Sequence, residues 1–190
     1  MRGSGPAKVS ATWPRRMAQL HPAWLLLVTL LAFAGQMASV SATPQIIILA
    51  SVCVLGTMSF LLGWTYAIYR VARDVSAKNN IEQGPNRSWV FRLAAVAILV
   101  LPIGLLDLPP VLAGLRDLVG GVVVLSFFAS FWLAAGALVT AEGHPVRYPT
   151  NKAVGTFLLV FYSFIGAWYL RPRIRAVLEA PQADEPVRLD

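Results

Sequence analysis

Apolar residues along this chain come in five nearly continuous blocks, 23–40, 46–69, 92–110, 118–140 and 153–170, with short polar stretches between them. A helix rises about 1.5 Å per residue, so roughly 20 apolar residues cross a hydrocarbon core about 30 Å thick. Each block is close to that length. Backbone N–H and C=O groups inside lipid must satisfy one another, and none of the blocks alternates like a barrel strand, so helices are the economical solution. The pattern predicts an all-α membrane bundle of five hydrophobic helices over 23–170. A basic tail at 1–22 precedes it, and a juxtamembrane basic segment with a mobile tail at 171–190 follows.

The edges of the blocks refine this threading. Arg15 and Arg16 ahead of the first block, with Val40-Ser41-Ala42 behind it, also fit a cleaved signal peptide. The second block follows almost at once, and Pro44 in the gap favours a tight turn between two antiparallel helices. Trp64, Tyr66 and Tyr69 close the second block as an aromatic belt. Beyond it NNIEQGPNRS is dense in turn residues and reads as a mobile loop. The third block is irregular: LPIGLLDLPP brings Pro102, Asp107, Pro109 and Pro110 together, and each proline removes a helix donor and crowds the preceding turn. It either crosses and ends at the prolines or bends back as a re-entrant segment, leaving four crossings.

Composition changes the picture from apolar helices to an integral membrane protein: 57% of residues are hydrophobic, 13% are charged, and the mean hydropathy is +0.64. The net charge of +7 sits between the apolar blocks, which suits anionic headgroups. Cytoplasmic flanks retain Lys and Arg, so the tail with Arg2, Lys8, Arg15 and Arg16 and the loop with Arg70, Arg73, Lys78, Arg87 and Arg92 are expected inside. Five crossings leave Arg116, Arg171, Arg173, Arg175 and Arg188 outside. A re-entrant third block would return those arginines to the inside and put Arg147 and Lys152 outside. The charges favour the second threading. The difficulty of shielding a re-entrant loop with few helices favours the first, and five crossings is the expectation. Lys8, Lys78 and Lys152 are the only lysines among 16 basic residues, and Ala, Val and Leu abound, which suggests a GC-rich bacterial source and hence the cytoplasmic (inner) membrane.

Candidate chemistry is sparse. Burying a charge in hydrocarbon costs at least a few kcal/mol, so intramembrane polar residues are where function is sought. Asp107, the one acid inside a block, is placed to hold an ion or to pair with Arg92 or Arg116, and Gln36 to bond a neighbouring helix. Arg171, Arg173 and Arg175 are expected to meet lipid headgroups with their stems folded along the bilayer. Small residues at helical spacing, Ser126, Ser130 and Ala134, then Ser163 and Ala167, then Ser59 and Gly63, read as helix contact faces. His21 and His144 lie apart, so no metal is implied, and nothing calls for a cofactor. Cys53 stands alone and makes no internal disulfide. The sequence has no pair of intramembrane acids, no His-Glu zinc helix and no phosphate-cradling glycine loop, so a non-enzyme is expected. No aromatic-interleaved basic surface invites nucleic acid. The expected partners are the bilayer, its anionic headgroups, and a membrane protein or a second copy.

Trp24, Gln36, LLGWTYAI, WVFR and FLLVFYSFIGAWYLRPRIR together resemble a group of small bacterial polytopic membrane proteins that end in an IGxWxLRPRI-like motif. The likeness covers most of residues 20–178. It implies architecture and carries no activity. The expected function is that of a non-enzymatic accessory, scaffold or assembly protein. The alternative is a small transporter or channel that uses Asp107 beside a proline-broken helix.

Overall fold

The computed structural model of the chain describes residues 13–39, 43–100, 113–143 and 150–179. All regular structure among them is helical: α1 (Trp13–Ala18), α2 (Pro22–Ser39), α3 (Pro44–Lys78), α4 (Trp89–Val100), α5 (Ala113–Ala141), α6 (Asn151–Phe161) and α7 (Ser163–Glu179). Two stretches, Gln45–Lys78 and Asp117–Ala141, are long and apolar enough to cross a membrane by length and composition, and the apolar helices α2, α4 and α6 are shorter.

The first two blocks form the antiparallel pair that Pro44 foreshadows. Proline opens α3 because the first helical N–H has no intrahelical partner to lose. The helices touch closely at two levels. A Cβ at Gly35 would lie 3.6 Å from the Ala50 Cα, and the Thr57 hydroxyl donates to the Val28 carbonyl at 3.3 Å. The 40–42 site considered for cleavage lies outside the described residues.

The second block runs past its expected end. It continues as one helix to Lys78, about 52 Å at 1.5 Å per residue and well beyond a hydrocarbon core of about 30 Å. RVARDVSAK loses hydropathy but keeps an apolar stripe, and Val71, Ala72 and Val75 bury it in the same core as Trp64, Ile68 and Tyr69. The helix stops in a Schellman motif. Asn80 takes the left-handed conformation (φ 53°), the Ile81 N–H donates to the Ser76 carbonyl at 2.9 Å, and the Asn80 N–H to the Ala77 carbonyl.

The turn-rich loop that follows, read as mobile, is instead tied to α3. Arg73 donates to the carbonyls of Gly84 (3.0 Å) and Pro85 (3.3 Å), and Gln83 returns a bond to the Arg73 carbonyl at 2.7 Å. The Tyr69 hydroxyl donates to Asn86 Oδ1 at 3.2 Å and accepts from the Arg87 N–H at 3.1 Å. These bonds deliver the chain to α4, whose Phe91 packs on the rings of Tyr66 and Tyr69 at 5.3 and 5.1 Å. Tyr69→Phe keeps the ring and removes these hydroxyl bonds together with the one the hydroxyl accepts from Arg73 at 3.5 Å. It is expected to cost about 1–2 kcal/mol and to open residues 79–88 to limited proteolysis before the helices are cut.

The third block is described only in part, as α4. Residues 101–112, with Asp107 and the three prolines, lie outside the described residues, and with them the choice between crossing and bending back there. α5 begins beyond that gap and packs against α3, α4 and α6. Its small-residue face is used within the chain: Ser126, Ser130 and Ala134 are buried, and the two hydroxyls return to carbonyls of their own helix.

The fifth block departs most from expectation. It is not one helix over 153–170 but two, α6 and α7, broken at Tyr162 (φ −86°, ψ 49°) and packed against each other. Gly166 permits the contact: a Cβ there would overlap the Leu159 carbonyl oxygen and lie 2.8 Å from the Leu159 Cα. Phe161, Phe157 and Phe128 stack beneath the bend, and Phe131 meets Phe161 edge-on, fixing the hairpin to α5.

Candidate functional site: an ionic clamp that closes the last hairpin

The hairpin brings together three charged residues that are far apart in sequence. α5 ends at Ala141 and hands its next residue, Glu142, to a turn completed by Gly143 at φ 81°. α6 starts where Thr150, in an extended conformation, caps the Ala153 N–H at 3.2 Å, which points Lys152 and Thr156 along the first turns. α7 then comes back down beside α6 and places Arg173 opposite both.

The guanidinium of Arg173 grips the Glu142 carboxylate with two parallel bonds, Nε to Oε1 at 2.7 Å and Nη2 to Oε2 at 2.8 Å. Its remaining nitrogen, Nη1, donates to the Thr156 hydroxyl at 3.0 Å, and that hydroxyl donates to the Lys152 carbonyl at 2.8 Å. Lys152 Nζ adds a second cation 3.0 Å from Oε2. The carboxylate side chain keeps 14% of its surface exposed and Arg173 keeps 26%, so the pair is screened less than one at the surface. Burial alone would push the Glu142 carboxyl up, but the hydrogen bonds and charges of Arg173 and Lys152 outweigh it and hold the group below its ordinary range. A carboxylate held ionised by two cations is a poor proton carrier near neutral pH. The arrangement is suited to locking the end of α5 and the start of α6 to the body of α7.

The alternating arginines of LRPRIR therefore have different environments. Successive odd positions on a helix lie about 200° apart, so Arg173 faces inward while Arg171 and Arg175 lie on the other side. Arg175 is exposed. Arg171 is half-buried, with an Nε that makes no hydrogen bond. Arg173, expected at a lipid headgroup, is bound to protein. Gln36 sits on the exposed side of α2, far along the chain from the clamp, and Asp107 lies outside the described residues. Glu142 and Thr156 were not legible as a site. The available signal was an acid directly after an apolar block in a chain poor in acids.

Among the described residues no three His, Cys, Asp or Glu side chains gather as a metal site. In comparisons with models of protein families, with curated proteins and with solved structures, the chain matches none.

Proposed function

We propose that the chain is an integral protein of a bacterial cytoplasmic membrane with a non-enzymatic role, anchoring or assembling partners at the inner face. The observation that carries this reading is the fold-back of α7 onto α6. It returns Arg173 to the level of Glu142 and Lys152, the end of the bundle where the α5 terminus lies. In the proposed threading α2, α3, the third block and α5 cross, while the α6/α7 hairpin enters and leaves by the same face. All 16 Lys and Arg except Arg116 then fall on one side, the distribution that the positive-inside rule favours. Contacts of the hairpin with α5, α2 and α3 supply the protein surround that a re-entrant segment needs. Exposed Leu27, Leu31, Leu49, Leu125 and Ile165 supply a lipid-facing surface.

The inner face so formed is basic and held rigid by the clamp and the tied 79–88 loop, with Arg70, Lys78 and Arg175 exposed on it. Such a surface suits an acidic partner at the membrane. The test is purification in mild detergent beside the variant Arg70→Glu/Lys78→Glu, with bound proteins identified by mass spectrometry. The reading expects a stoichiometric partner that is lost from the variant and released by salt. A monomer with no reproducible partner in either sample contradicts it.

A further inference from the structure

A groove of about 480 Å³ lies between α3 and α4. Ser59 and Gly63 on α3 give it depth because they carry almost no side chain, and Ile98 and Leu99 on α4 form its apolar wall. One end is different: Ser88 and Arg92 line it there, at the level of the Tyr66–Phe91 contact. Arg92 is exposed, no Asp or Glu lines the groove, and no carboxylate among the described residues pairs with this guanidinium. From Arg92 to Leu99 the groove follows α4 for about 10 Å, a depth within one leaflet of a core about 30 Å thick. Leu99 is 75% exposed, so the apolar end opens sideways rather than into a closed chamber.

We propose that this groove holds one acyl chain of an anionic glycerophospholipid, with its phosphate on Arg92 and Ser88. The inference rests on the membrane placement proposed above. A planar guanidinium at the mouth of an apolar trough matches the phosphate of a lipid whose chain lies in that trough, and a net negative headgroup leaves the Arg92 charge compensated. A zwitterionic lipid carries its own cation and compensates it less.

Native mass spectrometry of the detergent-purified protein with added phosphatidylglycerol or phosphatidylcholine of identical chains tests this. Phosphatidylglycerol is expected to bind about fivefold more tightly, the scale of one cation near an anionic headgroup. Arg92→Gln should abolish the preference, Arg16→Gln, exposed on α1 and outside the groove, should keep it, and Ser59→Phe should weaken both lipids by filling the trough. Inorganic phosphate should not compete. Equal binding of the two lipids, or a preference that survives Arg92→Gln, overturns the proposal, as does displacement by inorganic phosphate, which would mark a simple anion site. Alkali extraction of membranes from the same cells keeps the two ideas apart: a chain that stays in the membrane pellet but shows no preference sinks the lipid site alone, whereas a chain released into the aqueous fraction sinks the membrane placement.

Discussion

Arg173→Ala is expected to cost about 3 kcal/mol and to release α7 from α6. The substitution removes both bonds to Glu142 and the bond to Thr156, and leaves a mostly buried carboxylate with Lys152 as its cation from this cluster. Arg173→Lys keeps the charge but not the fork, so it should recover less than half of the loss. Glu142→Gln probes the other partner. Because the folded-state carboxyl is held below its ordinary value of 4.5, the clamp contributes fully above that pH and its contribution fades as pH falls through the lower, folded value. Thermal unfolding in detergent should therefore show an acid-induced drop in midpoint for the native chain that is smaller in Glu142→Gln. A double-mutant cycle of Arg173→Ala and Glu142→Ala should return a coupling of about 1.5–3 kcal/mol. Additive losses would mean that the two side chains act separately.

Gly166→Val should be comparably damaging for a different reason. Overpacking usually costs about 1–3 kcal/mol when side chains can shift, but here the obstacle is the Leu159 backbone, so about 3 kcal/mol or more is expected. The control lies on the same hairpin. A Cβ at Gly155 meets nothing within 4 Å, so Gly155→Ala should be neutral or stabilising by up to about 1 kcal/mol through helix propensity. Comparing the unfolding midpoints of the two variants separates close approach from a general intolerance of change in this segment.

Both variants probe the feature that hydropathy conceals. Hydropathy measures the tendency of a segment to leave water, and FLLVFYSFIGAWYL has that tendency throughout, with no proline or charge at Tyr162 to mark a bend. The bend is set by contacts distant in sequence: Glu142 lies 31 residues before Arg173. The same limit explains α3, where falling hydropathy after Tyr69 hides a helix that continues on the strength of Val71, Ala72 and Val75. Local signals served better. Pro44 marks the start of α3 and the small-residue spacing of α5 marks a buried face, whereas the expected end of α3 at Tyr69 falls short of the paired asparagines that close the helix. NNIEQGPNRS shows turn chemistry plainly, but not that Tyr69 and Arg73 hold the loop in place.

The most direct test of the re-entrant threading is the side on which α7 emerges. In a Cys53→Ser background, single cysteines at Ala77, Asp117 and Ala176, all exposed positions, can be labelled with a membrane-impermeant maleimide in sealed vesicles of known orientation. If the final hairpin folds back, Ala77→Cys and Ala176→Cys react from one side and Asp117→Cys from the other. Labelling of Ala176→Cys together with Asp117→Cys would mean that the last apolar segment crosses the bilayer, contradicting the account.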